Sequence, residues 1–205
     1  MFTKKGNEPL PQGIRVAGTS NGLVAVFGGL WSFSYQASLD FFPGLSSESI
    51  LFQPRARDLF GMLMEGVVGT IVVPLENTVI GPIPDIEAQM EIYGNDLVQR
   101  LKRDFPIPMA CGGLCRPEEV REIASTQASY GQCKGSLDAR FPGHAYIEVQ
   151  DTAQGVERIA MKGAETRYAA GLAPARAFSY NRVPLFYQDM SGQKDCATFA
   201  VLRKR

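Results

Sequence analysis

The sequence GTIVVPLENT, residues 69–78, decides the fold. Residues 69–73 are mainly apolar and predict a buried strand, and the polar residues behind them predict a loop over 74–78. A helix is predicted to begin near Pro82. A strand that ends in polar residues just before a helix is typical of α/β proteins, in which ligands bind at the carboxyl ends of the strands.

The same unit recurs along the chain. A strand over 23–27 ends at Gly28-Gly29 before a helix over 34–42, and a strand over 49–52 precedes a helix over 55–65. This alternation favours an α/β protein with two lobes. The expected division is a flexible arm over 1–22, a first lobe formed by 23–95 with 181–205, and a second lobe over 96–180. The later strands are predicted at 97–101, 107–111, 122–125, 146–149, 167–171, 185–187 and 198–202.

The charge balance excludes several classes of protein. The chain has 205 residues, with 21 Lys and Arg, 21 Asp and Glu, and a single histidine. A formal net charge of zero argues against nucleic-acid and anionic-membrane partners, which require a basic excess. One histidine cannot form a multi-histidine site, so no metal is expected. The N-terminal residues lack the apolar core of a signal peptide, and the predicted location is the cytoplasm.

Four strand ends carry the polar residues that predict a binding site. Each of these residue types also caps helices and turns, so the prediction rests on their recurrence at strand ends. The first loop is a glycine-rich turn whose backbone N–H groups favour an anion. The candidate residues are Gly28, Trp31, Ser32 and Ser34 in the first loop, Glu76, Asn77 and Thr78 in the second, Ser125, Thr126 and Gln132 in the third, and Thr152 in the fourth, within Asp151-Thr152-Ala153.

Short motifs give the chain a family resemblance. Residues 28–37 resemble the motif G-P-x-G-T-F-S-x-Q-A, and residues 74–81 match P-x-E-N-(S/T)-x-x-G without a gap. Three further segments are similar to a Gln-Cys pair, an S-T-A helix start and a T-R-F strand, namely Gln132-Cys133, Asp151-Thr152-Ala153 and Ala197-Thr198-Phe199. With these motifs the chain resembles the catalytic domain of prephenate dehydratase from about residue 24 to residue 202.

The resemblance implies a fold and a set of site residues. The implied fold is the two-lobed α/β prephenate dehydratase fold, similar to type II periplasmic binding proteins, with the active site in the interlobe cleft and a homodimer as the assembly. No regulatory ACT domain is expected after Arg205. The implied catalytic residues are Thr198, Glu76 and Asn77. The implied substrate-binding residues are Gly28, Trp31, Ser32, Ser34, Thr78, Ser125, Thr126, Gln132, Thr152, Ala197 and Phe199.

Two of these motifs depart from the family pattern. Ala197-Thr198 replaces the family's Thr-Arg pair, and Trp31 stands where the opening motif has glycine. Loss of the arginine removes a bidentate carboxylate clamp, and loss of the threonine removes a donor to the leaving oxygen. The altered pair favours a changed reaction outcome, whereas the retained Glu76-Asn77-Thr78 favours a reaction close to dehydration.

The resemblance also implies a reaction. The family removes water and carbon dioxide from prephenate, a dicarboxylate, and forms phenylpyruvate without a cofactor. Because aromatisation drives this elimination, the protein need only hold the carboxylates, desolvate one and help the hydroxide to leave. The prediction is a lyase of this kind in a specialised or antibiotic pathway. The alternatives are a non-aromatising prephenate decarboxylase and a non-catalytic protein that binds small anions on the same fold.

Overall fold

The computed structural model describes residues 22–163, 165–191 and 195–205, and it contains two β-sheets. The predicted arm over 1–22 lies, except for Gly22, outside the described residues. Each sheet is covered by helices on both faces, so its central strands are buried on both sides. Within the described ranges, no helix combines the length and apolar character that crossing a membrane requires.

The first sheet has the strand order β2-β1-β3-β11-β5, with the short β4 paired to β3. The pairs β1–β2 and β1–β3 are parallel, whereas β11 is antiparallel to both β3 and β5. Its strands are β1 (Val24–Phe27), β2 (Ile50–Gln53), β3 (Thr70–Asn77), β4 (Gly81–Pro82), β5 (Leu97–Pro106) and β11 (Cys196–Lys204), and its helices are α1 (Phe33–Phe41), α2 (Ala56–Met64) and α3 (Pro84–Tyr93).

The second sheet has the order β10-β6-β9-β7-β8. The strand β7 is parallel to β8 and β9, and β6 is antiparallel to β9 and β10. Its strands are β6 (Ala110–Gly113), β7 (Glu122–Ser125), β8 (Ala145–Glu148), β9 (Ala169–Ala173) and β10 (Leu185–Tyr187), and its helices are α4 (Gln127–Arg140), α5 (Thr152–Lys162) and α6 (Ala175–Asn181).

Two strands lie in a different sheet from the one that the predicted lobe boundaries imply. The strand β5 belongs to the first sheet, because β11 pairs with it from Leu97 to Pro106. The strand β10 belongs to the second sheet, because it pairs with β6. These pairings join residues far apart in sequence, and local sequence patterns do not reveal them. The predicted boundaries therefore place each of the two strands in the wrong lobe.

The predicted loop over 74–78 is also corrected, because β3 continues to Asn77. The strand β11 supplies antiparallel partners for this extension, with Ala197 opposite Asn77 and Thr198 opposite Glu76. The next pair is Phe199 with Pro74, so Leu75 has no partner on β11 and forms a β-bulge. A bulge shifts the alternation of side chains along its strand, and this shift decides which residues of the motif face the cleft.

Candidate functional site

A cavity of about 170 Å³ lies between the two lobes. Residues from β1, β3 and β11 of the first sheet and from the starts of α4 and α5 line it, together with apolar side chains such as Phe27, Ile83 and Met109. Most of the predicted site residues meet at this cavity, which we call the interlobe cleft. They are Gly28, Ser32, Ser34, Asn77, Thr126, Gln132, Thr152, Ala197 and Phe199.

Three helices begin at the interlobe cleft, each with a side-chain cap. Ser32 Oγ accepts a hydrogen bond from Tyr35 N at 3.2 Å at the start of α1. Thr126 Oγ1 accepts from Ser129 N at 3.3 Å at the start of α4, and Asp151 caps α5. Helix N-termini carry partial positive charge, so their convergence gives the cleft a preference for negative groups. The same residues therefore cap the helices and also line the cleft.

Asn77 is the most firmly oriented polar side chain of the cleft. Its Oδ1 accepts hydrogen bonds from the backbone N–H groups of Val79 at 2.7 Å and Ile80 at 3.1 Å. Its Nδ2 donates to Asp195 Oδ1 at 3.1 Å. These three bonds fix the direction of the amide plane, and the side chain is buried against the cleft. A preorganised amide of this kind is suited to binding a charged or polarised oxygen of a ligand.

The sequence did not predict Asp195 as a site residue, although it stands two residues before the Ala197-Thr198-Phe199 motif. Its Oδ1 accepts from Asn77 and also from Thr78 Oγ1 at 3.4 Å. Its Oδ2 is buried and has no hydrogen-bond partner among the described residues. Burial raises the pKa of this carboxyl, and the bonds from Asn77 and Thr78 oppose that effect. Asp195 therefore holds the Asn77 amide in position. Its carboxyl group takes up a proton at a higher pH than an ordinary Asp does.

This buried carboxyl predicts a pH dependence of stability. Because the pKa of Asp195 is higher in the folded than in the unfolded chain, the folded state binds the proton more tightly. Stability is then expected to fall as pH rises from about 3.9, the ordinary Asp value, through the raised folded pKa. The Asp195→Asn variant keeps an acceptor for Asn77, so we expect a flatter curve and a higher melting temperature than wild type at neutral pH.

The measurement is the melting temperature of both proteins from about pH 4 to about pH 8. The curves are expected to converge at the acid end, where wild-type Asp195 is protonated. Parallel curves across the whole range would contradict a raised pKa at this position.

Two of the three predicted catalytic residues do not line the interlobe cleft. Thr198 and Glu76 are opposite each other in the β3–β11 pair, and both point away from the cleft into an outer cavity of about 550 Å³. Thr198 Oγ1 donates to Asp104 Oδ1 at 2.6 Å, and the Glu76 carboxylate lies 3.6 Å from Lys102 Nζ. On β3 the reason is the bulge at Leu75, after which Asn77 rather than Glu76 faces the cleft. On β11 the reason is ordinary alternation, because Ala197 and Phe199 face the cleft and Thr198 faces the opposite side.

This placement predicts opposite outcomes for two neighbouring substitutions. Thr198→Ala removes only the bond to Asp104, so we expect any activity of the cleft to change by less than about twofold. Ala197→Thr puts a hydroxyl into the cleft beside Asn77, so we expect ligand affinity or product ratio to change by about tenfold. Steady-state kinetics or ligand titration on both variants measures this. A large effect of Thr198→Ala with none of Ala197→Thr would restore the prediction from the sequence.

Three further predicted residues lie outside the cleft. Thr78 joins the ends of β3 and β11, because its Oγ1 accepts from Cys196 N at 3.0 Å, and it lines the outer cavity. Ser125 is fully buried at the end of β7, and its Oγ has no partner among the described residues. Trp31 lines a second cavity of about 310 Å³ beside the cleft, where its ring packs against Tyr35 and Tyr180. Its φ of 68° is in the left-handed region, which the glycine of the family motif adopts more easily.

Asp151 is the second site residue that the sequence did not predict. The sequence indicates that it caps a helix, but not that it also lines the cleft. It lines both the interlobe cleft and the cavity beside Trp31. Its Oδ1 accepts from Ala153 N at 2.7 Å, and Gly29 approaches the carboxylate so closely that a Cβ atom built on it would lie 2.5 Å from Oδ2. Burial raises the pKa of this carboxyl, and the nearby backbone N–H groups of Ala153, Gly29 and Gln154 oppose that effect. A contact between Gly29 of the first lobe and Asp151 of the second has no local sequence signal.

Metal-binding groups are sparse in this structure. Within residues 22–163, 165–191 and 195–205, no cluster of three or more His, Cys, Asp or Glu side chains has the arrangement of a metal site. The four cysteines are free thiols, and burial raises the pKa of the Cys133 thiol beside the cleft to about 12. This thiol therefore stays protonated at neutral pH and is a poor nucleophile.

The chain is similar in sequence to a known protein family and to one of its characterised members. A family model described as prephenate dehydratase matches residues 24–205. The bifunctional chorismate mutase/prephenate dehydratase of Aquifex aeolicus (strain VF5) is 27% identical over 192 residues, which is 89% of this chain and 49% of that protein. The chain thus spans about half the length of this curated relative.

Two solved structures share the fold. The prephenate dehydratase of Arthrobacter aurescens, solved in complex with L-Phe, has a TM-score of 0.73 and 17% identity over 89% of this chain and 60% of its own. A protein described as GqqA, a novel type of quorum quenching acylase, has a TM-score of 0.72 and 18% identity over 89% of this chain and 64% of its own. The predicted two-lobed α/β fold, shared with periplasmic binding proteins, is confirmed.

Proposed function

The chain belongs to the prephenate dehydratase family, and from this we propose that it is a cofactor-free lyase acting on prephenate or a closely related cyclohexadienyl acid. The observation that carries the proposal is the Asn77 amide, which three hydrogen bonds hold against an apolar interlobe cleft. The match to the family model spans both sides of this cleft.

The chemistry of the cleft suits such an elimination. Apolar side chains of Phe27, Ile83, Met109 and Phe199 surround the space that a six-membered ring would occupy. Water is excluded from such a surface, and a bound carboxylate loses its hydration, which favours loss of carbon dioxide. The fixed amide of Asn77 and the capped helix starts supply the polar contacts. The reaction then depends on binding and orientation rather than on a strong base.

Non-aromatising decarboxylation is a second candidate, supported by Ala197. The side chain of Ala197 faces the cleft opposite Asn77, at the position where the family motif has a threonine. A methyl group there cannot donate a hydrogen bond to a leaving hydroxide. A reaction that releases carbon dioxide and keeps the hydroxyl needs no such donor, because the electron pair of the broken carbon–carbon bond is taken up by a proton from solvent added to the ring. A role in a specialised or antibiotic pathway is part of this proposal and rests on the same altered motif.

A non-catalytic binding protein is the third candidate. Asp151 is the one ionisable carboxyl or amine side chain among the described residues that line the interlobe cleft. A cleft so poor in acid and base groups is consistent with binding alone. A cytoplasmic location and a homodimeric assembly remain predictions from the sequence.

The experiment that tests these candidates follows the ultraviolet spectrum of prephenate with the purified protein at neutral pH. An aromatic keto acid as the product supports the dehydratase, and a dihydro product with the ring still unsaturated supports the decarboxylase. The control is prephenate alone under the same conditions, because the acid also decomposes without protein. If the substrate neither reacts nor shifts the melting temperature, the enzyme proposal is rejected and an anion-binding role loses its main ligand.

A further inference from the structure

Three aromatic side chains line the cavity beside Trp31, which adjoins the interlobe cleft. Trp31 lies in the turn after β1, Phe52 belongs to β2 and Tyr180 belongs to α6, so the rings come from three separate elements. Phe52 and Tyr180 are exposed, and the cavity has a volume of about 310 Å³. Large aromatic side chains that stay exposed around one concavity are typical of a ligand site.

Tyr35 holds two of these rings in place from the core of the first lobe. It is buried, and its ring meets the Trp31 ring edge-on, with the two centroids 5.2 Å apart. The centroids of Tyr35 and Phe52 are 5.7 Å apart. The third ring, Tyr180, lies 5.4 Å from the Trp31 ring between centroids. The aromatic wall of the cavity is therefore anchored in the protein core and is available to a ligand without rearrangement.

Trp31 itself has two features that a bound ligand would explain. Its φ of 68° is a strained conformation for a bulky side chain, and strain of this kind concentrates at functional sites. Its indole Nε1 is buried and has no hydrogen-bond partner among the residues that the structure describes. A buried donor of this kind is costly unless a ligand or a water molecule supplies the acceptor.

The cavity beside Trp31 carries negative charge that no basic side chain balances. Asp151 and Glu157 line it, and the part of the lining that the structure describes includes no Lys, Arg or His. Neither carboxylate forms an ion pair with a described residue. Burial raises the pKa of Asp151, nearby backbone N–H groups oppose this effect, and the charge of Glu157 reinforces it. Two carboxylates that repel each other beside aromatic faces attract a cation.

The hydrogen-bonding groups of the cavity favour a quaternary ammonium over a primary one. A primary ammonium is strongly hydrated and has three N–H groups that require acceptors. Asp151 Oδ1 already accepts from Ala153 N at 2.7 Å, and the backbone at Gly29 lies close to Oδ2. A quaternary ammonium has no N–H group to satisfy, and aromatic faces bind it through cation–π attraction.

We propose that the cavity beside Trp31 is a second ligand site, which binds the quaternary ammonium group of a small organic cation. The three rings supply the aromatic faces, and Asp151 and Glu157 supply the opposing charge. The site is separate from the one that carries the proposed reaction, because Tyr180 and Glu157 line this cavity and not the interlobe cleft. Asp151 lines both, so a cation bound here also changes the electrostatic field in the cleft.

The test uses the fluorescence of Trp31, which is the only tryptophan of the chain and therefore reports on this cavity alone. Wild type is titrated at constant ionic strength with choline, and with the neutral alcohol in which a tert-butyl group replaces the trimethylammonium group. The two probes have the same shape and differ in charge. We expect choline to cause a saturable change in emission, with an affinity about tenfold or more above that of the alcohol.

Variants identify the side chains that bind the cation. Tyr180→Ala removes a ring and Glu157→Gln removes a charge, and each is expected to weaken choline binding about three- to tenfold. Tyr180→Phe keeps the ring and is expected to stay within about twofold of wild type. Both residues are exposed, so we expect the variants to fold, and melting curves check this. Glu148→Gln is the matched charge control, since Glu148 is exposed outside this cavity, and its effect is expected to stay below about twofold.

Three outcomes would overturn the proposal. Equal affinities for choline and the neutral alcohol would mean that the cavity is apolar and does not select a cation. A loss in Glu148→Gln as large as in Glu157→Gln would replace the site with a general effect of net charge. If choline changes neither the emission nor the melting temperature of wild type, the site does not exist. None of these outcomes bears on the reaction proposed for the interlobe cleft, because they are read from the binding of probes that the cleft does not transform.

Discussion

The Asn77→Ala variant is expected to lose about a hundredfold in kcat/KM, or an equivalent factor in ligand affinity if the cleft only binds. The substitution removes the one side-chain amide that the structure fixes against the cleft from β3. It also leaves the N–H groups of Val79 and Ile80 without their acceptor. Each buried group left unpaired costs about 1–3 kcal/mol, so the free energy of unfolding is expected to fall as well.

The loss of activity or affinity in Asn77→Ala can be measured separately from its loss of stability. Kinetics or titration is measured well below the melting temperature of the variant, so that a folded population is compared with wild type. The control is Glu76→Gln, the preceding residue on the same strand, whose side chain faces the outer cavity. We expect its effect to stay below about twofold. A loss in Glu76→Gln that equals the loss in Asn77→Ala would mean that the active face is the outer one.

The Phe178→Ala variant is expected to lower the free energy of unfolding by about 3–5 kcal/mol. Phe178 lies on α6 with 0% of its surface exposed, in a core with Ala110 of β6 and Ile159 of α5. Its ring also packs on Gly112, where a Cβ atom would approach the ring to 2.9 Å. Such close packing leaves no neighbouring group that can fill the space when the ring is removed.

Chemical denaturation at equilibrium measures this loss, and Tyr180→Ala is the control. Tyr180 is on the same helix but is 60% exposed, and its ring contacts Trp31 at 5.4 Å between centroids. Loss of such a ring pair costs about 0.5–1.5 kcal/mol. A loss for Tyr180→Ala as large as for Phe178→Ala would contradict the assignment of the loss to core packing, because helix propensity favours alanine at both positions.

Much of the fold was predictable because buried strands are short, apolar and separated by turn residues. The bounds of β7 at 122–125 and β10 at 185–187 are as predicted, and most other strands and helices differ by a few residues. The clear failure is the end of β3, which looks like a loop because Pro74 and the polar residues after it are poor strand formers. Pairing with β11, more than a hundred residues later, overrides that local preference.

The candidate site was predictable where strand ends and helix starts coincide. Ser32, Thr126 and Thr152 are at the cleft because each stands at a helix start that follows a strand. Glu76 faces away from the cleft because the extra residue Leu75 reverses the facing of β3, and a bulge has no signature in a single sequence. Thr198 faces away because side chains alternate along β11 and its neighbours Ala197 and Phe199 both line the cleft. Asp151 and Asp195 have no local sequence signal for a related reason. The partners of Asp195 are 117 and 118 positions away, and Asp151 contacts Gly29 of the other lobe.

The position of β11 has a consequence for how the chain folds as it is synthesised. This strand lies between β3 and β5, yet its residues are translated after the entire second sheet. On the ribosome, β3 and β5 are therefore exposed along their facing edges until Cys196–Lys204 emerges. Closing so long a loop makes this step slow, and unpaired strand edges favour aggregation. The second lobe can fold early, whereas the first lobe, although begun first, is completed last.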